Sequence, residues 1–297
     1  MIILMMVIMF SLALGIFTYF QNKTFVETFY HVQSAKVDHP VRFALLSDLH
    51  SQEYGTDNSV LVERIRALSP DVIICAGDMI NDTGDNIKSI IPLMTQLVEI
   101  APTYYSFGNN ENELVFLHDM ELQYLNIAYG ATTDDKERFE LHCYDPALID
   151  ELENIGVTVL INTLASLEIR GNAIEIMGVN TTLQSFWDYS GQNSWLFTPE
   201  SDVLKILVAH RPELFLEYLE GTDIDLGMSG HTHGGLIQLP YLGGLYAHDQ
   251  GLFPELDKGD FSERDPELII SGGLGNHGVI PRINNPPELV LIDIDKY

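Results

Sequence analysis

From Val41 onward, short runs of apolar residues alternate with amphipathic stretches. Runs at 43–47, 72–76, 104–107, 157–161, 174–179, 206–209, 224–229, 268–271 and 289–294 read as strands. Between the first two, Leu61, Ile65 and Leu68 recur at i, i+4 and i+7. Asp57 or Asn58 stands in the N-cap position and Pro70 closes the segment, so this spacing predicts an amphipathic helix between buried strands. Helices are also expected over 86–99, with Pro92 in the first turn, over 146–154 and over 212–219. The alternation predicts an α/β domain with largely buried strands.

The first twenty residues break this pattern, because they carry no charge and the first charged side chain is Lys23. Twenty helical residues span about 30 Å, the thickness of a bilayer core. A membrane anchor, a cleaved signal peptide and a buried helix compete for this segment. A signal peptide wants a basic leading region, which is absent, and small residues at its cleavage site. Only Ala13 and Gly15 could serve, and cleavage there would cut within the apolar run, so the anchor is favoured. Residues 21–40 are polar and irregular up to His39-Pro40 and read as a tether. The expected organisation is a transmembrane helix at 1–20, a linker at 21–40 and one folded domain at 41–297.

Composition narrows the function. The 297 residues include 15 Lys+Arg against 43 Asp+Glu, a formal charge of −28, with 46% hydrophobic residues. No basic cluster exists to hold a phosphate backbone, which excludes nucleic acid as a partner. Any anionic substrate has to be attracted locally, and bound cations would do that. Cys75 and Cys143 form no CxxC pair, which argues against a disulfide framework and a thiolate zinc site. Cys75 reads as a small buried hydrophobe.

The unusual polar residues fall where the strands end. Asp48-Leu49-His50 follows the first strand, Gly77-Asp78 the second and Gly108-Asn109-Asn110-Glu111 the third. His210 and Gly230-His231-Thr232-His233-Gly234-Gly235 follow later ones. Ligands of open α/β sheets collect outside the carboxyl ends of strands, so these clusters can converge. Asp48, His50, Asp78, Asn109, His210, His231 and His233 offer two carboxylates, four imidazoles and one carboxamide oxygen. That set is too large for one four-coordinate zinc and suits two divalent ions bridged by an Asp. Its softness points to Mn, Fe, Zn or Ni. Asp-x-His and His-x-His place alternate residues on one face at the end of an extended strand. A lone Asp-x-His, Gly-Asp or His has an ordinary structural explanation; all the pieces in this order at strand ends do not.

In that order, the motifs resemble the calcineurin-like metallophosphoesterase superfamily over residues 41–297. The segments Gly243-Gly244-Leu245-Tyr246-Ala247, Gly251-Leu252-Phe253-Pro254 and Ile280-Pro281-Arg282-Ile283-Asn284-Asn285 look like its branch of bacterial membrane-anchored phosphodiesterases, which is similar to UDP-diacylglucosamine hydrolases. The resemblance implies a β-sandwich of two mixed sheets flanked by helices, with the site on one rim. It implies one metal held by Asp48, His50, Asp78 and His233, and another by Asp78, Asn109, His210 and His231, with Mn favoured. It further implies that a metal-activated hydroxide attacks a phosphodiester or phosphoanhydride, on a nucleotide-linked lipid or cell-envelope precursor. It places the domain outside the cytoplasm, although Lys23, Lys36 and Arg42 give only a weak charge bias.

One position departs from the family pattern. Where the family carries a His that protonates the leaving group, this chain has Asn110, beside Glu111. Asn110 and Glu111 are the expected catalytic positions. A carboxamide donates a hydrogen bond but does not transfer a proton near neutral pH, so the leaving group has to depart unprotonated. The stretch 111–150 is polar, contains His118 and His142, and is read as a cap that could supply an acid. His248 and His277 are rim candidates. The alternative is a metal-binding but catalytically impaired scaffold. A nuclease is disfavoured by charge and anchor.

Overall fold

An unbroken apolar run is stable only where both faces are covered, and all five residues of β3 (Val72–Ala76) are buried. The computed structural model describes residues 2–81, 89–111, 146–179, 202–217, 222–276 and 281–297. In it, β3 sits inside a six-stranded sheet. The order is β1 (Val26–Gln33), β16 (Glu288–Asp295), β2 (Val41–Leu46), β3, β4 (Thr103–Ser106) and β5 (Thr158–Leu160). Strands β2 to β5 are parallel, whereas β16 is antiparallel to β2 and parallel to β1. A second six-stranded sheet has the order β14 (Gly259–Phe261), β15 (Glu267–Ile270), β9 (Leu226–Ser229), β8 (Leu204–Ala209), β7 (Asn172–Val179) and β6 (Thr163–Ile169). It is parallel from β15 to β7 and antiparallel at both edges, and between β9 and β14 the chain forms two short antiparallel pairs, β10 (Gln238–Leu239) with β11 (Gly243–Gly244) and β12 (Tyr246–Ala247) with β13 (Gly251–Leu252).

The two sheets share one core. Phe43, Leu45 and Ile74 of the first meet Ile174, Ile206, Val208 and Met228 of the second. On the outer face of the first sheet lie α2 (Ser59–Leu68), α3 (Ile91–Val98) and α4 (Pro146–Asn154). Leu61, Ile65, Leu97 and Leu152 pack there with Ile73, Cys75 and Tyr105. Each fully buried Leu or Ile contributes roughly 1.5–3 kcal/mol. Leu214 and Phe215 of α5 (Leu214–Glu217) cover the second sheet against Leu207 and Leu268. The mixed β-sandwich flanked by helices is therefore present.

Two expectations are corrected. Residues 21–40 are not an irregular tether, because β1 pairs with β16 over eight residues, Val26 opposite Glu288 to Gln33 opposite Asp295. Its one-sided burial, with exposed positions scattered along it, is that of an edge strand and made its sequence read as polar. In α2, Asn58 occupies the N-cap in a left-handed conformation, but its side chain turns back to accept from Tyr54 N (3.0 Å) rather than capping the helix. Residues 2–21 form α1 (Ile2–Gln21). Taking the described residues alone, no helix is long and apolar enough to cross a membrane. The end of α1 is tied to the C-terminal tail: Asn22 Nδ2 donates to Arg282 O (3.0 Å), and Arg282 N donates to Asn22 Oδ1 (3.2 Å). Most of the expected cap, with His118 and His142, lies outside the described residues, as do Cys143 and His277.

Candidate metal centre

All seven expected ligands lie at the ends of β2, β3, β4, β8 and β9, on one rim of the sandwich. Strand β2 ends at Leu46, so Asp48 and His50 do not share a face of an extended strand. They are brought together by a left-handed turn. Asp48, His50, Asp78, His231 and His233 all have positive φ, between 47° and 71°. Non-glycine residues pay roughly 1–2 kcal/mol for that conformation, and its concentration at one rim marks a site where geometry is imposed for function. Glycine is needed where the loops cross: a Cβ on Gly108 would overlap Asp78 Oδ1, and one on Gly230 would overlap Asp48 Oδ2.

The side chains form two adjoining groups, Asp48 with His50 and His233, and Asp78 with His210 and His231, each able to direct its ligand atoms at one point. In the first group His50 Nε2 and His233 Nε2 lie 3.0 Å apart, with stacked rings. Both Asp48 oxygens accept from His231 N at 3.0 Å, which couples the groups. In the second group His210 Nδ1 donates to Ala76 O (2.7 Å), which fixes the tautomer and turns Nε2 toward Asp78 Oδ2 at 3.3 Å. His231 Nε2 lies 3.0 Å from Asp249 Oδ2, and donation to that carboxylate leaves Nδ1 to coordinate.

The charges are those of a cation site. Burial pushes Asp48 up to about 6. Burial acts on Asp78 in the same sense, but the His210 charge and hydrogen bond prevail and hold it below the carboxylate range. Burial would lower His210, yet Asp78 and Asp48 raise it to about 10. The proton on His210 thus occupies the place of a positive ion. Burial, with the charges of His210 and Arg211, lowers His231 to about 3, which keeps its ring neutral and available as a ligand.

The donor set fits two divalent ions. Asn109 Oδ1 is buried with no hydrogen-bond partner among the described residues. A buried polar atom left in that state costs about 1–3 kcal/mol, which a coordinated cation would recover.

Glu111 is corrected by its contacts. Its carboxylate accepts from Gly108 N (2.7 Å), Asp78 N (2.9 Å), Met79 N (2.8 Å) and Tyr105 Oη. With both oxygens occupied, Glu111 holds the Asp78 loop against the Asn109 loop and has no oxygen left for a substrate. Asn110 lies at the site itself. Its N donates to Asp78 Oδ1 (2.9 Å), its Nδ2 donates to Ile80 O (3.1 Å) and lies 3.0 Å from His50 Nδ1, and its Oδ1 accepts from Asn109 Nδ2 (3.0 Å).

A pocket of about 220 Å³ opens over both groups, with Asn109, Arg211 and His248 around its mouth. Asp249 joins that rim, pairing with Arg211 Nη1 across 3.2 Å and lying 3.0 Å from His248 Nδ1. Arg211 and Asp249 carry no motif in the sequence, and the buried Arg282 enters it only as part of the family-like segment 280–285. Arg211 directly follows a ligand at a strand end and Asp249 neighbours a rim histidine, which are the only local signals they carry.

Residues 41–235 match the calcineurin-like phosphoesterase family. Curated relatives include a metallophosphoesterase of Helicobacter pylori, 24% identical over 86% of this chain and 60% of that protein. The metallophosphoesterase YkuE of Bacillus subtilis is 26% identical over 91% of this chain and 85% of its own length. The phosphodiesterase YaeI of Escherichia coli is 24% identical over 86% of this chain and 82% of its own. The chain thus spans 60% of the length of the Helicobacter relative.

Proposed function

Because the chain belongs to the calcineurin-like phosphoesterase family, we propose that it is a membrane-anchored, dinuclear-metal hydrolase of phosphodiester or phosphoanhydride bonds. The observation that carries this reading is the pair of ligand groups sharing one pocket floor, Asp48 with His50 and His233 and Asp78 with His210 and His231. The Escherichia coli relative's name, a phosphodiesterase, supports a diester.

Asp48, His50 and His233 would hold one ion, and His210, His231 and Asn109 the other, with Asp78 between them. Two divalent ions, Mn favoured, would supply there an acidified water and positive charge against the phosphoryl oxygens. The chain's own residues set the geometry. Ala76 O and Asp249 orient the His210 and His231 rings, and Glu111 fixes the backbone that carries Asp78 and Asn109. Asn110 has no transferable proton and directs its N–H groups at Asp78, Ile80 O and His50, so the site suits substrates whose leaving group departs as an anion, such as phosphoanhydrides and activated diesters. A nucleotide-linked lipid or cell-envelope precursor meets that condition.

The uncharged N-terminal residues support anchoring through α1, with the domain outside the cytoplasm. Two tests apply. Turnover of a bis-aryl phosphodiester with and without Mn²⁺ tests the reaction. For the anchor, the full chain should sediment with membranes and a Leu12→Lys/Ile16→Lys variant should not; equal partitioning of the two would remove the anchoring.

A further inference from the structure

The chain is strongly acidic, yet one arginine stands at the mouth of its metal pocket. Arg211 follows His210 immediately after β8 and lines the pocket with His248. Its guanidinium meets one carboxylate, Asp249, through Nη1 at 3.2 Å. That carboxylate is shared, since the same Oδ2 lies 3.0 Å from His231 Nε2 and Oδ1 lies 3.0 Å from His248 Nδ1. Arg211 Nε is buried without a hydrogen-bond partner among the described residues. Asp249 therefore fixes the orientation of Arg211, whose side chain stays 36% exposed at the pocket.

A planar guanidinium matches the oxygens of a phosphate, and its fixed fork gives direction as well as charge. Among the described residues lining the pocket, Arg211 is the only Arg or Lys. The floor is built to take one phosphoryl group. Arg211 lines the same pocket as His50, Asp78, His231 and His233, within reach of a substrate held over them.

On the basis of the hydrolase reading above, we infer that Arg211 binds the second, non-reacting phosphate of a diphosphate substrate. The site thereby selects phosphoanhydride diesters over esters of a single phosphate. Asp249 positions Arg211, and His248, with Nδ1 turned to Asp249, presents Nε2 at the same rim.

The test compares the wild-type full chain with Arg211→Gln and Arg211→Lys, all loaded with Mn²⁺. Three readouts are taken: kcat/KM on a dinucleoside diphosphate and on a bis-aryl phosphodiester, the affinity for Mn²⁺ by calorimetry, and the binding of methylenediphosphonate and of methylphosphonate. Loss of a charged hydrogen-bonding partner predicts that Arg211→Gln lowers kcat/KM about 10- to 100-fold more on the diphosphate than on the aryl diester, mainly through KM. Arg211→Lys should recover part of the loss. Methylenediphosphonate affinity should fall by a similar factor relative to methylphosphonate, while Mn²⁺ affinity changes less than about threefold. Equal losses on both substrates, or loss of Mn²⁺ binding, would give Arg211 a purely structural role and overturn the inference. If the wild type turns over neither substrate, the hydrolase reading fails, and the two phosphonates still decide the role of Arg211. An unchanged preference between them in Arg211→Gln would then overturn it.

Discussion

The guanidinium of Arg282, fully buried, places Nη2 2.9 Å from Nδ1 of His233. Its remaining donors go to backbone carbonyls: Nε to Gly275 O (2.8 Å), and Nη1 to Gly272 O and to His233 O (3.4 Å). A buried cation is costly, and burial lowers this one to about 10, still protonated near neutral pH. Its position ties the ligand loop, the 272–275 loop and, through Asn22, the end of α1 into one unit.

Arg282→Met should therefore lower the melting temperature and weaken Mn²⁺ binding together. Removing the group that orients a ligating histidine typically costs about 10- to 100-fold in metal affinity. Arg282→Lys should not restore it, because one ammonium cannot reproduce a fork spread over three carbonyls and a ring nitrogen. Calorimetric titration with Mn²⁺ and a thermal melt of each variant check this, and wild-type affinity in Arg282→Met would refute the positioning role.

Glu111→Gln places an NH₂ where backbone N–H groups now donate. The expected loss is about 2 kcal/mol of stability, read from urea unfolding. Tyr105→Phe removes a single donor to the same carboxylate and should lose about 1 kcal/mol. An effect of Glu111→Gln on turnover with no change in stability would return Glu111 to the chemistry.

Mn²⁺ uptake should depend on pH with a definite sign. In the metal-free protein His210 is raised to about 10 by Asp78 and Asp48, against burial, so it carries its proton at neutral pH. Coordination displaces that proton, and affinity therefore rises with pH, about tenfold per unit between pH 6.5 and 8 where this is the sole proton released. Titrations across that range, in buffers of different ionisation enthalpy, measure the proton directly. A pH-independent affinity would contradict the reading of His210.

The sandwich was legible because its central strands are continuous apolar runs. The run at 72–76 coincides with β3, and 146–154 coincides with α4. β1 was missed because an edge strand covered on one side interleaves Glu27, Thr28 and His31 with its apolar residues, and its partner β16 lies some 260 positions away. The convergence of the seven candidate ligands could be read, since each follows a strand and the sheet itself gathers them. Glu111 was misread for a physical reason: a carboxylate beside a metal motif looks the same in sequence whether it faces substrate or backbone. Arg282 and Asp249 act through long-range contacts that no local spacing announces.

The measurement that bears most directly on the account is hydrolysis of a bis-aryl phosphodiester by the full chain, with and without Mn²⁺, beside an Asp78→Asn control. Asp78 belongs to one ligand group, faces the other and accepts from Asn110 N. The wild type should turn over only with Mn²⁺, and Asp78→Asn should lower that rate at least about 100-fold. A wild-type rate with Mn²⁺ no higher than that of Asp78→Asn would contradict the hydrolase and leave a metal-binding scaffold in its place.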